Sequence, residues 1–182
     1  MSRVLVPLAQ GFEETEAVAV IDVLRRAQVE VVIAGLEEGP VESAHGLRLI
    51  PDALLREVAD QPFDAVFLPG GLGGTERLAR SELVAQALRR AAEAGKLTTA
   101  ICAAPTVLEQ QGLLTNKRAT SHASVKEMLG SAIYLEEEVV VDGTVVTSRG
   151  MGTAISMGLE LVSMLVGQET AQQIARAIHY DE

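Results

Sequence analysis

The chain has no tryptophan, two tyrosines and three phenylalanines, so aromatic residues make up 3% of 182. Stacking platforms for nucleic-acid bases need such rings. Basic residues are also the minority, 15 Lys and Arg against 25 Asp and Glu, for a formal net charge of −10. A protein that grips a phosphate backbone needs a basic footprint. Both deficits argue against a nucleic-acid partner. Long apolar runs are missing too. The longest stretch free of charge, Leu97 to Leu108, is well short of the ~20 residues of a membrane span. Met1-Ser2-Arg3 leads straight into Val4-Leu5-Val6 without the apolar core and small-residue cleavage site of a secretory signal. The expectation is a soluble, cytoplasmic protein with no membrane partner. There is one cysteine, Cys102. It has no intrachain disulfide partner, and a single thiolate does not make a zinc-finger site, so no structural metal is expected.

Apolar residues make up 48% of the chain, and its length suits one domain over residues 1–182. A domain of this size buries about 70% of its unfolded surface. Short apolar runs alternate with helical patterns from end to end. Strands are expected at Arg3 to Pro7, Glu30 to Gly35, Ala65 to Leu68, Leu97 to Ile101 and Arg118 to Ser121. Helices are expected at Glu14 to Ala27, Ser81 to Ala94, Ala103 to Gln111, Thr153 to Val166 and Glu169 to Ile178, with a short one near Ser124 to Met128. Ser81 reads as an N-cap and Gly95 as a helix stop. Pro40 to Pro51 reads as a small hairpin or an edge excursion, and Asp142-Gly143 between two valine runs as a hairpin. Strands alternating with helices imply an α/β fold with a mostly parallel sheet covered on both faces.

In such a sheet, ligands bind beyond the carboxyl ends of the strands. The loops there carry Glu13, Glu14 and Glu16, then Gly70-Gly71, Cys102 and His122. Cys102 ends a strand and opens a helix. Such a turn exposes a nucleophile, offers amides to an oxyanion and predicts a thiol more acidic than a free one at about 8.5. The opposing reading is a buried structural cysteine, the commonest fate of a free thiol. The glutamates likewise have a bland role, since acids in a first turn stabilise a helix. One of them facing a thiolate would be held protonated. His122 gains meaning only from sharing an edge with Cys102. Pro69-Gly70-Gly71 is either an ordinary turn or a close approach to a ligand. GxxxxGK[ST], GxGxxG in the first strand-to-helix turn and GxSxG are absent. Nucleotide cofactors and a serine elbow are therefore not expected.

Gly11-Phe12-Glu13-Glu14-Thr15-Glu16, Leu68-Pro69-Gly70-Gly71, Ala100-Ile101-Cys102-Ala103-Ala104-Pro105-Thr106, Thr120-Ser121-His122 and Ser148-Arg149-Gly150-Met151-Gly152-Thr153 together resemble the ThiJ/PfpI superfamily, most closely its DJ-one branch. The resemblance implies a flavodoxin-like three-layer sandwich, a homodimer and a reactive elbow cysteine without a cofactor. It implies Glu16 as the carboxyl beside Cys102, His122 as the nearby imidazole, and Gly70, Gly71 and the Ala103 amide as the oxyanion side. It implies an enzyme acting on a small carbonyl substrate or a glycated adduct, of glyoxalase or deglycase type, in stress protection. Two alternatives go with it: an oxidation sensor or chaperone working through Cys102, and a cysteine hydrolase or hydratase. The chain departs from the pattern at Ala104, where relatives often have Gly, at Met151, where Pro is common, and at His45, where some carry Arg.

Overall fold

The structure, a computed structural model, describes residues 1–180. The described residues form eleven strands and seven α-helices. The strands are β1 (Arg3–Leu8), β2 (Glu30–Gly35), β3 (Val41–Glu42), β4 (Arg48–Leu49), β5 (Ala53–Leu54), β6 (Ala65–Leu68), β7 (Leu97–Ile101), β8 (Arg118–Ala119), β9 (Ile133–Tyr134), β10 (Val139–Asp142) and β11 (Val145–Ser148). The helices are α1 (Glu14–Arg26), α2 (Leu55–Val58), α3 (Leu72–Arg80), α4 (Glu82–Glu93), α5 (Pro105–Gln110), α6 (Ala154–Leu165) and α7 (Gln168–Ala177).

Seven strands form the main sheet in the order β10-β11-β7-β6-β1-β2-β5. Only β10 runs antiparallel to its neighbour; the other pairings are parallel. Counting β1, β2, β6, β7 and β11 as one to five gives the order 2-1-3-4-5, the flavodoxin-like arrangement. Residues alternate along β1: Val4, Val6 and Leu8 enter a core with α1, α6 and α7, while Leu5 enters a second core with α2, α4 and α5. That alternation is the period of two of a strand buried on both faces. The chain changes face between β1 and β6. At such a switch point the flanking loops diverge and leave a crevice.

Both segments form hairpins: β3 with β4 and β10 with β11 are antiparallel pairs, with Gly46 and Gly143 at positive φ in their turns. Ser81 caps α4, its Oγ accepting from the Val84 N–H at 3.4 Å. Helix α3 was not expected, and two expectations change. Leu72-Gly73-Gly74 forms the first turn of α3. The glycines are there because α3 lies against the β1–α1 turn: a Cβ at Gly74 would stand 2.8 Å from the Phe12 Cα. The Arg118 to Ser121 strand is shorter and lies outside the main sheet, paired with β9. The helix after Cys102 begins at Pro105 rather than Ala103 and has six residues. Among the described residues no helix is long and apolar enough to cross a membrane.

Candidate active site

The β1–α1, β6–α3 and β7–α5 loops meet at the switch point. Cys102 takes φ +64°, a left-handed conformation that costs a side-chain-bearing residue roughly 1–2 kcal/mol. Its neighbours hold it there. The Cys102 N–H donates to the Ser148 carbonyl at 3.0 Å, and the His122 N–H donates to the Cys102 carbonyl at 2.8 Å. The turn leaves the thiol half-buried with the Gly71 and Ala103 amides hydrogen-bonded to it.

Glu16 sits in the first turn of α1 and is 1% exposed. The Gly70 N–H donates to its Oε2 at 3.0 Å, and a hydrogen bond joins the carboxyl to Cys102. Glu13 caps the same helix, its Oε2 accepting from the Glu16 N–H at 2.6 Å. Its own N–H donates to the Gly70 carbonyl at 2.9 Å, fastening the two loops together. Of the three glutamates, one caps the helix, one faces the thiol, and Glu14 pairs with His45 Nδ1 at 3.1 Å.

Gly70 was expected on the oxyanion-binding side, but its N–H is committed to Glu16. Its contribution is the missing side chain: a Cβ there would meet Glu16 Oε2 and stand 2.6 Å from the Cys102 Cβ. Gly71, at φ +87°, supplies an amide donor to sulfur, and Ala103 supplies the other.

Burial pushes the Glu16 carboxyl up to about 7, helped by the charge of Glu13 and opposed by the Cys102 and Gly70 hydrogen bonds. The thiol is also pushed up, to about 12, by burial and then by the negative charge and hydrogen bond of Glu16. The acidic thiol expected from the sequence is thus not found: burial and Glu16 outweigh the two amides and push the thiol the other way. The helix behind it is short and starts late, so its dipole is weak. Two of the three causes that raise the thiol require Glu16 to be ionised. When Glu16 holds a proton they vanish, and its O–H joins the two amides in stabilising a thiolate. The pair therefore holds two protons below about pH 7 and one above it, and that one proton can move between oxygen and sulfur.

His122 is exposed, and its Nδ1 accepts from the Ser124 N–H at 3.2 Å while pairing with the Ser124 hydroxyl at 2.8 Å. It caps the 3-10 turn Ala123–Met128. Gly150 shows how the three side chains converge: a Cβ there would lie 3.7 Å from Glu16 Oε1, 3.8 Å from His122 Cδ2 and 4.0 Å from Cys102 Sγ. Its bare backbone is the floor they share. Gly150 lies in the Ser148 to Thr153 motif of the resemblance, but the sequence gave no sign of this role, because convergence is a three-dimensional property.

One group of side chains among the described residues has ligand atoms close enough for a metal ion, Glu13, Glu14 and His45. Glu13 Oε2 already serves the cap and Glu14 Oε1 the ion pair, while Glu14 Oε2 is buried without a hydrogen-bond partner. Met151 is exposed beside the site, and Ala104 is fully buried behind it.

The DJ-1/PfpI family model matches residues 2–164. The chain is 44% identical over 177 residues to Protein DJ-1 homolog A of Arabidopsis thaliana, covering 96% of this chain and 45% of that protein. It thus spans less than half the length of that relative. It is 42% identical over 177 residues to Protein dj-1beta of Drosophila melanogaster, covering 96% of this chain and 95% of that one. The crystal structure of Drosophila melanogaster DJ-1beta superposes with a TM-score of 0.96 at 42% identity, over 100% of both chains. A glutathione-independent glyoxalase, DJR-1.2 of Caenorhabditis elegans, is 36% identical over 168 residues, covering 91% of this chain and 89% of that protein. The chain belongs to the DJ-1/PfpI family.

Proposed function

We propose that the protein is a cofactor-free, cysteine-dependent enzyme acting on reactive dicarbonyls or early glycation adducts, working as a homodimer in stress protection. The observation that carries this reading is the buried Glu16 carboxyl hydrogen-bonded to Cys102, whose sulfur also meets the Gly71 and Ala103 amides. The glyoxalase named among the relatives supports the reaction class.

With methylglyoxal the sulfur of Cys102 adds to the aldehyde carbon, and the thiol proton reaches the former carbonyl oxygen through Glu16. The oxyanion formed on the way is met by the two backbone amides, donors that need no reorganisation. Glu16 then removes the proton from that carbon while the adjacent ketone oxygen is protonated, giving an enediol. Return of a proton to the neighbouring carbon rebuilds a carbonyl at the sulfur-bearing one, a lactoyl thioester. Water adds, the carbon–sulfur bond breaks, and lactate and the thiol are released. The sum is methylglyoxal plus water to lactate, with no oxidant or reductant. His122, at the open side of the site, is assigned to orienting that water.

The test is the product made by purified protein. A single lactate enantiomer is expected. Glu16→Ala should slow turnover ~10²–10⁴-fold, the usual cost of a lost acid–base group, and His122→Ala by less, with circular dichroism unchanged. Racemic product, or both variants retaining wild-type turnover, would reduce the reaction to simple trapping of the aldehyde.

Oxidation sensing is the second reading, and one observation favours it. The two amides and the Glu16 carboxyl that surround the sulfur are also donors for sulfinate oxygens, and the chain has no second cysteine to divert a sulfenate into a disulfide. Unchanged carbonyl turnover in both variants, with two oxygens added to the Cys102 peptide by mild peroxide, would favour it.

A further inference from the structure

The segments that build the Cys102 site run on into the walls of a second space. Leu72 follows Gly71, Ala103 follows Cys102, and Val125 and Met128 lie on the turn that starts at His122. These four, with Thr75 and Ala79 on α3, line a cleft of about 530 Å³ between α3, α5 and the Ala123–Met128 turn. A methyl group leaves almost all of that volume empty; 300–1,000 Å³ is the range of sites for whole small molecules.

Three features describe what fits. The mouth carries two large apolar side chains, Leu72 72% and Met128 61% exposed, beside the exposed Glu76 and Gln110. Thr75 is 6% exposed, and its Oγ1 is buried without a hydrogen-bond partner. Leaving a buried hydroxyl unsatisfied costs roughly 1–3 kcal/mol, which a ligand atom there would recover. Among the described residues no lysine or arginine lines the cleft. Its acids are occupied: Glu109 accepts from the Ser131 N–H and hydroxyl, both at 2.8 Å, and Glu76 pairs with Arg80. An anionic group would meet no cation and two carboxylates.

We infer that this cleft receives the non-reacting part of the substrate, an uncharged apolar or aromatic substituent larger than methyl that carries one hydrogen-bonding atom for Thr75. The inference rests on Cys102 being the carbonyl nucleophile, and it makes methylglyoxal a poor representative of the substrate class. It also separates two halves of the site: the elbow takes the dicarbonyl, and the cleft takes what is attached to it.

The experiment compares kcat/KM for methylglyoxal, phenylglyoxal, 4-hydroxyphenylglyoxal and 4-carboxyphenylglyoxal. Wild type should prefer phenylglyoxal to methylglyoxal at least tenfold and disfavour the carboxylate. Ala79→Leu, which fills the cleft, should lower phenylglyoxal turnover at least tenfold more than methylglyoxal turnover. Thr75→Val, close to isosteric, should erase the preference for the 4-hydroxy compound over the unsubstituted one. Equal kcat/KM for methylglyoxal and phenylglyoxal in wild type, or equal losses in Ala79→Leu, would overturn the inference. A readout independent of turnover uses 4-hydroxyacetophenone, which has no aldehyde to react. It should shift the Met128 methyl resonance in wild type and not in Ala79→Leu. If no dicarbonyl is turned over but Met128 shifts, the cleft stands and the enzymatic reading falls. If dicarbonyls are turned over and Met128 does not move, the cleft assignment falls alone.

Discussion

At the scale of the residue, Glu16 is the group on which most depends. It is buried beside a thiol and titrates at about 7 instead of 4.5. A carboxyl whose proton affinity is raised by folding stabilises the fold fully below its unfolded value, and that contribution is lost as pH rises through the folded one. The window is therefore about pH 4.5 to 7, and the loss across it is about 3 kcal/mol. Asp64 and Asp142, held low by hydrogen bonds first of all, act with the opposite sign at more acid pH. Urea unfolding of wild type should show stability falling between pH 4.5 and 7, and Glu16→Gln should flatten that fall. A wild type as stable at pH 7.5 as at pH 4.5 would mean that Glu16 is not desolvated. The resemblance was needed to name this residue. Three glutamates within four positions all suit a helix start, and only folding shows which one turns inward.

At the scale of the element, α1 and α6 pack closely. Gly158 buries its face on Val23, and a Cβ there would stand 3.0 Å from the Val23 Cβ and 3.1 Å from its Cγ1. Two effects compete in Gly158→Ala. Replacing Gly in a helix interior gains up to ~1 kcal/mol, while overfilling a packed contact costs ~1–3 kcal/mol. The substitution should be destabilising in wild type. In a Val23→Ala background the clash is gone, and the same substitution should stabilise by up to ~1 kcal/mol; a sign that does not reverse in thermal unfolding would mean the helices part freely. Such contacts explain what the sequence leaves hidden. Core strands and the amphipathic helices α1, α4 and α7 are legible because their periodicity is local. Helix α3 is not, because Gly73 and Gly74 weaken its propensity for the sake of lying on Gly11 and Phe12. The late start of α5 was equally hidden, because it follows from Cys102 being held at φ +64° by Ser148 and His122.

At the scale of the whole molecule, charge and apolar surface pull in opposite directions. A formal net charge of −10 opposes association between copies, and added salt relieves that repulsion over about 10 Å at 0.1 M. Against it, Val18 on α1, Leu47 after the β3–β4 turn and Ile155 on α6 are all exposed along one groove. The groove is edged by the Asp22–Arg26 pair at 2.6 Å. The homodimer that the resemblance implies would cover this face with the same face of a second copy, as a two-fold interface does. The apolar contact must then outweigh the repulsion, so association should tighten as salt rises from 10 to 150 mM; an interface held by ion pairs would weaken. Val18→Asp places a carboxylate in the contact from both sides at once. It should convert the dimer to monomer in sedimentation velocity at micromolar protein, with the circular dichroism spectrum retained because Val18 does not belong to either core. A wild type that is monomeric at both salt concentrations would remove the homodimer. A Val18→Asp variant that remains dimeric would keep the dimer and move its interface away from α1.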